Sequence, residues 1–203
     1  MKYRNESGRS MVEMLGMLAV IGVLSAGALK GYSAAMFKYK MNQTIDTYNQ
    51  VLQRFMELEQ KGWKEGIEIY DAEDLIKYGL LPDCQVITDS YGTEVCKLPI
   101  GTLGMGFYDN GSYVLGEFRI YFTDSKSCIA FASAGWEKAS PVEWWNKPAE
   151  NYQGGFIQAG SKDIYWPAEG ITEVKMSDII EGCQICETNL DTCYFYHVIR
   201  NEL

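Results

Sequence analysis

The groups with the strongest intrinsic chemistry in this chain are six cysteines: Cys84, Cys96, Cys128, Cys183, Cys186 and Cys193. Thiols can serve as redox centres, zinc ligands or disulfides, and their context separates the three. Cys183 and Cys186 form a CxxC, but a thioredoxin-like redox pair needs a surrounding βαβ pattern, which this sequence lacks. A structural zinc site needs four ligands; the other cysteines and His197 supply enough donors, yet the usual paired spacing is missing. Disulfides best fit an even count confined to the last two thirds of the chain, and they imply an oxidising compartment. Six cysteines allow fifteen connectivities, so the pairing is not readable from composition. Cys84 and Cys96 bracket one short unit and can pair across a hairpin-like loop.

Other candidates for chemistry are few. His197 is the single histidine. It lies in the aromatic run CYFYHVIR with no signalled acid or nucleophile beside it, so a structural role is expected rather than general base catalysis. Trp144, Trp145 and Trp166 can form a patch for sugar or a partner, or cap a small core, which is the commoner use. No Gly-rich phosphate loop, metal triad or nucleophile elbow occurs. A net charge of −9 argues against nucleic acid as the main partner, because phosphate binding requires a basic face. The expectation is a protein with no catalytic residues, no metal and no cofactor.

The elements that must position these groups begin with an apolar segment. From Ser10 to Leu29 the only charged residue is Glu13. Twenty helical residues cover about 30 Å, the thickness of a bilayer core. Two membrane readings compete. One is an ordinary secretory signal, with a basic start, an apolar middle and a small-residue cleavage site at Ala26-Gly27-Ala28. The other is a retained helix. From Tyr32 to Gln60 there is neither glycine nor proline, and Met41, Ile45, Tyr48, Leu52 and Phe55 recur at alternating steps of four and three, the stripe of an amphipathic helix. One helix from near Ser10 to near Lys61 is therefore expected, about 75–80 Å long, apolar all round in its first half and one-sided in its second. Positive charges flank both ends of the apolar segment, so the positive-inside rule does not orient it.

Glu13 is the anomaly in this segment. An acid at the bilayer centre costs about 2.5–3.5 kcal/mol on insertion scales, and less near the interface. It follows a short charged leader, MKYRNESG, that ends at Gly8, and it is the fifth residue after that glycine. A glycine-ended leader, a glutamate at this spacing, an apolar run and a long amphipathic helix together resemble the signal of type IV pilins and of the pseudopilins of type II secretion. The resemblance implies that a prepilin peptidase cuts between Gly8 and Arg9 on the cytoplasmic side and then methylates the new amine. It also implies that the apolar segment stays as an inner-membrane anchor with the globular part on the periplasmic side, and later becomes the filament core. The implied partners are the peptidase, an assembly platform protein and other subunits. Glu13 would pair with the amine of a neighbouring subunit, and Gly27 and Gly31, a GxxxG, would allow close helix contact. Two departures stand out. Arg9 occupies a place where the family usually has an apolar residue, and Lys30 stands where many type IVa pilins carry proline.

Beyond Gly62 the helical period fades. A short helix is expected from about Asp71, closed by Gly79 and Pro82. Two short strands flank Asp89–Gly92, and Asn110-Gly111 marks a tight turn between aromatic strands. A helix near Asp124 or Ser125 should turn Cys128, Ile129 and Phe131 to the core. A Gly-rich turn lies between short strands in YQGGFIQAGSKDIYWP, Ser177 should cap a helix in MSDIIEGC, and CYFYHVIR should form a final strand. This gives an α+β class in three parts: a leader (1–8), a long helix (9–61) and a disulfide-containing globular domain (62–203). The resemblance implies a pilin-like fold, with the helix packed on an antiparallel sheet. The globular part is loosely similar to the larger type IVb pilins, which implies a long-range bridge from Cys128 to a C-terminal cysteine.

Overall fold

The computed structural model describes residues 11–60, 69–89, 92–109, 113–136, 157–165, 173–189 and 193–202. Gly8, Arg9, Asn110, Gly111, Trp144, Trp145 and Trp166 lie outside them. The class is α+β. Helix α1 spans Met11–Gln60 without a break, and the boundary between two compact units falls inside it, between Lys40 and Met41.

The second unit is built on an antiparallel sheet. Its strands are β1 (Gln85–Thr88), β2 (Glu94–Lys97), β3 (Thr102–Asp109), β4 (Tyr113–Tyr121), β5 (Ile157–Ala159), β6 (Lys162–Tyr165) and β7 (Tyr194–Glu202), in the order β1-β2-β3-β4-β7-β5-β6. Successive strands pair as neighbours up to β4. The final strand then inserts beside β4, with Phe118 opposite His197 and Ile120 opposite Phe195. Alternation sets the faces. Leu103, Met105, Phe107, Phe118, Ile120, Phe195 and His197 are all buried and point to one side. Tyr121, Arg119 and Glu117 point to the other.

The buried side is covered by the amphipathic half of α1. Met41, Tyr48, Leu52 and Phe55 are buried as the stripe predicts, while Ile45 is half-buried. The face is wider than the stripe: Thr44 and Val51 are fully buried too. Thr44 is tolerated because its Oγ1 accepts the backbone N–H of Ile100 at 3.1 Å. Phe55 packs its ring edge-on to Phe118 at 5.3 Å. It lies so close to β4 that a Cβ at Gly116 would sit 2.6 Å from its ring, which explains the glycine there.

The helices flank the sheet. Helix α2 (Ala72–Lys77) is capped by the Asp71 side chain, which accepts from Asp74 N at 2.9 Å, and closes at Gly79 with φ +71°. Arg54 of α1 donates to the carbonyls of Gly79 and Leu80 just beyond it. Helix α3 (Ser125–Ala132) is capped by Asp124 and buries Ser127, Cys128, Phe131 and Ala132. Ile129, expected in the core, is half-buried, because the buried face is made by the pairs Ser127–Cys128 and Phe131–Ala132, and Ile129 and Ala130 fall between them. Helix α4 (Met176–Cys183) corrects the expectation for Ser177. Lys175 is the capping residue and offers no side-chain bond. Its carbonyl accepts from Asp178 N and Ile179 N, so Ser177 falls inside the first turn.

Helix α4 meets the β5–β6 turn backbone to backbone. A Cβ at Gly182 would fall on the carbonyl oxygen of Ala159, and one at Gly160 on that of Gly182. Gly160 also has φ +57°, in the left-handed region where glycine alone is unstrained. Gly182→Ala is expected to destabilise the protein by about 1–3 kcal/mol, the usual cost of overpacking, read as a lowered urea midpoint. An unchanged midpoint would contradict this close approach.

Candidate functional site

The sites singled out in the sequence fall into two groups, one in each compact unit. In the first, Glu13 lies in the first turn of α1 with its side chain exposed. Ten large apolar side chains between Met11 and Leu29 are also exposed. This segment is long and apolar enough to cross a membrane, and none of it is buried within the protein. Leaving a leucine or valine in water forgoes about 1.5–3 kcal/mol apiece, and an apolar surface of this extent marks a contact with lipid or protein. Gly27 and Gly31 follow on the same helix; among the described residues nothing lies within 4 Å of a Cβ built at either. The described part of the segment is thus a helix awaiting cover, with one carboxylate at its N-terminal end.

In the second unit, the cysteines form three disulfides, Cys84–Cys96, Cys128–Cys183 and Cys186–Cys193. Cys84–Cys96 clips β2 to the residue before β1. The two halves of the CxxC do not bond to each other. Cys183 reaches α3, and Cys186, on the 3₁₀ turn Gln184–Glu187, reaches the residue before β7. The second and third bridges therefore link α3, α4, the 3₁₀ turn and β7 in series. Closing the 55-residue separation of Cys128 and Cys183 removes about 4 kcal/mol of chain entropy from the unfolded state in the loop-closure model.

His197 is fully buried, and its Nδ1 lies 2.8 Å from the Tyr48 hydroxyl. A phenol O–H donating to a neutral imidazole satisfies both atoms without a charge. Burial pushes the His197 pKa down to about 3 and the Tyr48 phenol up. Tyr48 is also the hub of the aromatic core, edge-on to Phe131 at 5.5 Å, Trp136 at 4.9 Å and Phe118 at 5.9 Å. The geometry of the pair is that of a clasp between α1 and the last strand. Sequence reasoning placed both residues but not their bond, since 149 positions separate them.

No family model, curated protein or solved structure matches this chain.

Proposed function

We propose that this chain is a structural, non-enzymatic subunit of a type IV pilus or a related filament, processed after Gly8 and held in the inner membrane by the first half of α1 until it assembles. The observation that carries the reading is the continuity of α1. It runs from beside Glu13 through an exposed apolar segment into a half whose single face fills the core of an antiparallel sheet. The exposed half supplies what a filament core needs, because side-by-side packing of such helices buries every apolar face. The sheet-covered half matches the pilin-like arrangement that the N-terminal motif implies. Glu13 would answer the new amine of a neighbouring subunit; a buried charge is tolerable when paired, and the pairing fixes register. The partners of this reading are other subunits, prepilin peptidase and a platform protein.

A pseudopilus of a type II secretion system is the sister reading, and the N-terminal motif is common to both. The reading of another class is a secreted or anchored module with an ordinary signal cut after Ala28. Against it stands the helix itself: Ala26-Gly27-Ala28 lies inside unbroken α-helix, well ahead of the residues that enter the core. Mass spectrometry of the mature N-terminus decides. A chain beginning at Arg9, with or without a methylated amine, is the expected result; one beginning at Leu29 would remove Glu13 and overturn the filament reading.

A further inference from the structure

The outward face of the sheet carries a cleft of about 350 Å³ over β2, β3 and β4. Its floor is made by two glycines of β3, Gly104 and Gly106, which lie opposite Arg119 and Glu117 in the register. Glycine weakens a strand, and inside one it often marks close approach by a backbone or a ligand. Other glycines in this unit have internal reasons. Gly116 makes room for Phe55, while Gly101 has φ +83° and its Cβ would press on the Tyr121 carbonyl. Gly104 and Gly106 have neither. Their φ values are not in the left-handed region, and a Cβ at either would make only ordinary contacts of 3.7–3.9 Å, all with side chains of Val95, Tyr121 and Glu117. The fold would accept alanine at both positions, so the space above them is not required by the protein's own packing.

The walls give the space a chemical character. Tyr70 and Tyr121 line it with aromatic rings. Glu117 supplies an acceptor. Arg119 is ordered on two sides: its Nη2 bonds Glu117 at 3.3 Å, and its guanidinium lies 4.6 Å over the Tyr196 ring. A guanidinium has five N–H donors, which Arg119 shares among Glu117, Tyr121 and Tyr196 at the cleft wall. Asp89 also lines the cleft, but its Oδ1 is engaged by Thr93 N at 2.9 Å and serves the β1–β2 turn. Tyr121 continues into an aromatic row on the same face, with Tyr194 at 5.9 Å and Tyr196 6.3 Å further on.

From this geometry we infer that the cleft is a binding site for a neutral or amino pyranose ring of a glycan. The cleft is at the small end of ligand-site volumes. A floor without side chains lets a flat, polar ring lie close to the backbone. Tyrosine rings cover its C–H faces, and carboxylate and guanidinium groups at the rim meet its equatorial hydroxyls. The Glu117 and Asp89 carboxylates against one guanidinium leave the cleft negative, which selects against acidic sugars. This inference does not depend on the filament reading.

The test is saturation-transfer NMR on the full chain in a polyoxyethylene detergent, which has no sugar head group. The probes are the methyl glycosides of glucose, galactose, N-acetylglucosamine and glucosamine, with methyl glucuronide and spermidine as comparators. The expected result is saturation of ring protons for at least one neutral or amino glycoside and none for the glucuronide. The double variant Gly104→Ala/Gly106→Ala fills the floor and should weaken that binding at least tenfold while its unfolding midpoint is kept or raised. Tyr121→Ala should weaken it similarly. No saturation across the glycosides would overturn the inference, as would unchanged affinity in the double-alanine variant. Equal binding of the glucuronide, or binding of spermidine alone, would also overturn it, by pointing to a different ligand class.

Discussion

Glu13→Ala is expected to abolish filament assembly while leaving membrane insertion intact or improved, and the two effects follow from the same carboxylate. In a bilayer the acid costs up to about 2.5–3.5 kcal/mol, less near the interface, so its removal cannot impair insertion. In a bundle of apolar helices it is the one group in the segment from Ser10 to Leu29 that can neutralise a neighbour's N-terminal amine. Removing one partner of a buried pair strands the other, at about 3–5 kcal/mol. That corresponds to roughly two to four powers of ten in subunit affinity, repeated at every contact along a filament. The measurement is the division of the protein between sheared filaments and inner membrane. Wild-type chain should appear in both fractions and the Glu13→Ala chain only in the membrane. Glu13→Gln, which keeps a hydrogen-bond acceptor without the charge, should lie between them. Normal filaments from Glu13→Ala would remove the charge-pairing mechanism. Loss of the variant from the membrane would show that Glu13 acts at insertion instead.

What the sequence made legible follows the range of the interactions. The long helix was legible because its signals are local: an apolar run, no proline, and a stripe at steps of three and four. Even there the stripe ran through Ile45, whereas the buried face takes in Thr44 and Val51. Thr44 lay outside the stripe, and the N–H that satisfies it belongs to Ile100, 56 positions away. The helix starts at Asp71 and near Asp124 were readable for the same local reason, and the cap at Ser177 failed because a backbone carbonyl did the work. The placement of β7 between β4 and β5 was not readable, nor was the Cys128–Cys183 bridge by physics alone. Both are decided by which distant surfaces fit. The glycine-floored cleft left a trace in the sequence, GMG inside an aromatic strand, but its meaning required knowing which glycines the packing already explains. The motif at Gly8 and Glu13 is different in kind. On the proposed filament reading its meaning lies in partners outside the chain, so the fold of a single chain adds support only through the helix that continues from it.

The clasp between Tyr48 and His197 sets the second large expectation, a stability that falls with acidity in a defined window. His197 has a native pKa of about 3, below the value near 6.5 of an unfolded chain. Below about pH 6.5 the unfolded state therefore binds a proton that the native state refuses. Stability from this group is fully present above that pH and is lost as pH falls toward 3, at up to about 1.4 kcal/mol per pH unit. Urea unfolding of the full chain in detergent at a series of pH values reads this slope. Because carboxylates titrate in the same range, the decisive quantity is the difference from His197→Gln, which can accept the Tyr48 hydroxyl but does not titrate. The variant should be flatter by up to one proton between pH 6.5 and 4.5. Equal slopes would mean that the imidazole is protonated in the native state. At neutral pH, Tyr48→Phe keeps the ring but leaves Nδ1 buried without its donor, at about 1–3 kcal/mol. Tyr48→Ala removes the hub itself, at about 3–5 kcal/mol. If the pair is the clasp between helix and sheet, the cost of Tyr48→Phe should shrink in the His197→Gln background, because a flexible amide can find another partner where a ring cannot. Additive costs in that double-variant cycle would place the value of Tyr48 in its aromatic contacts alone.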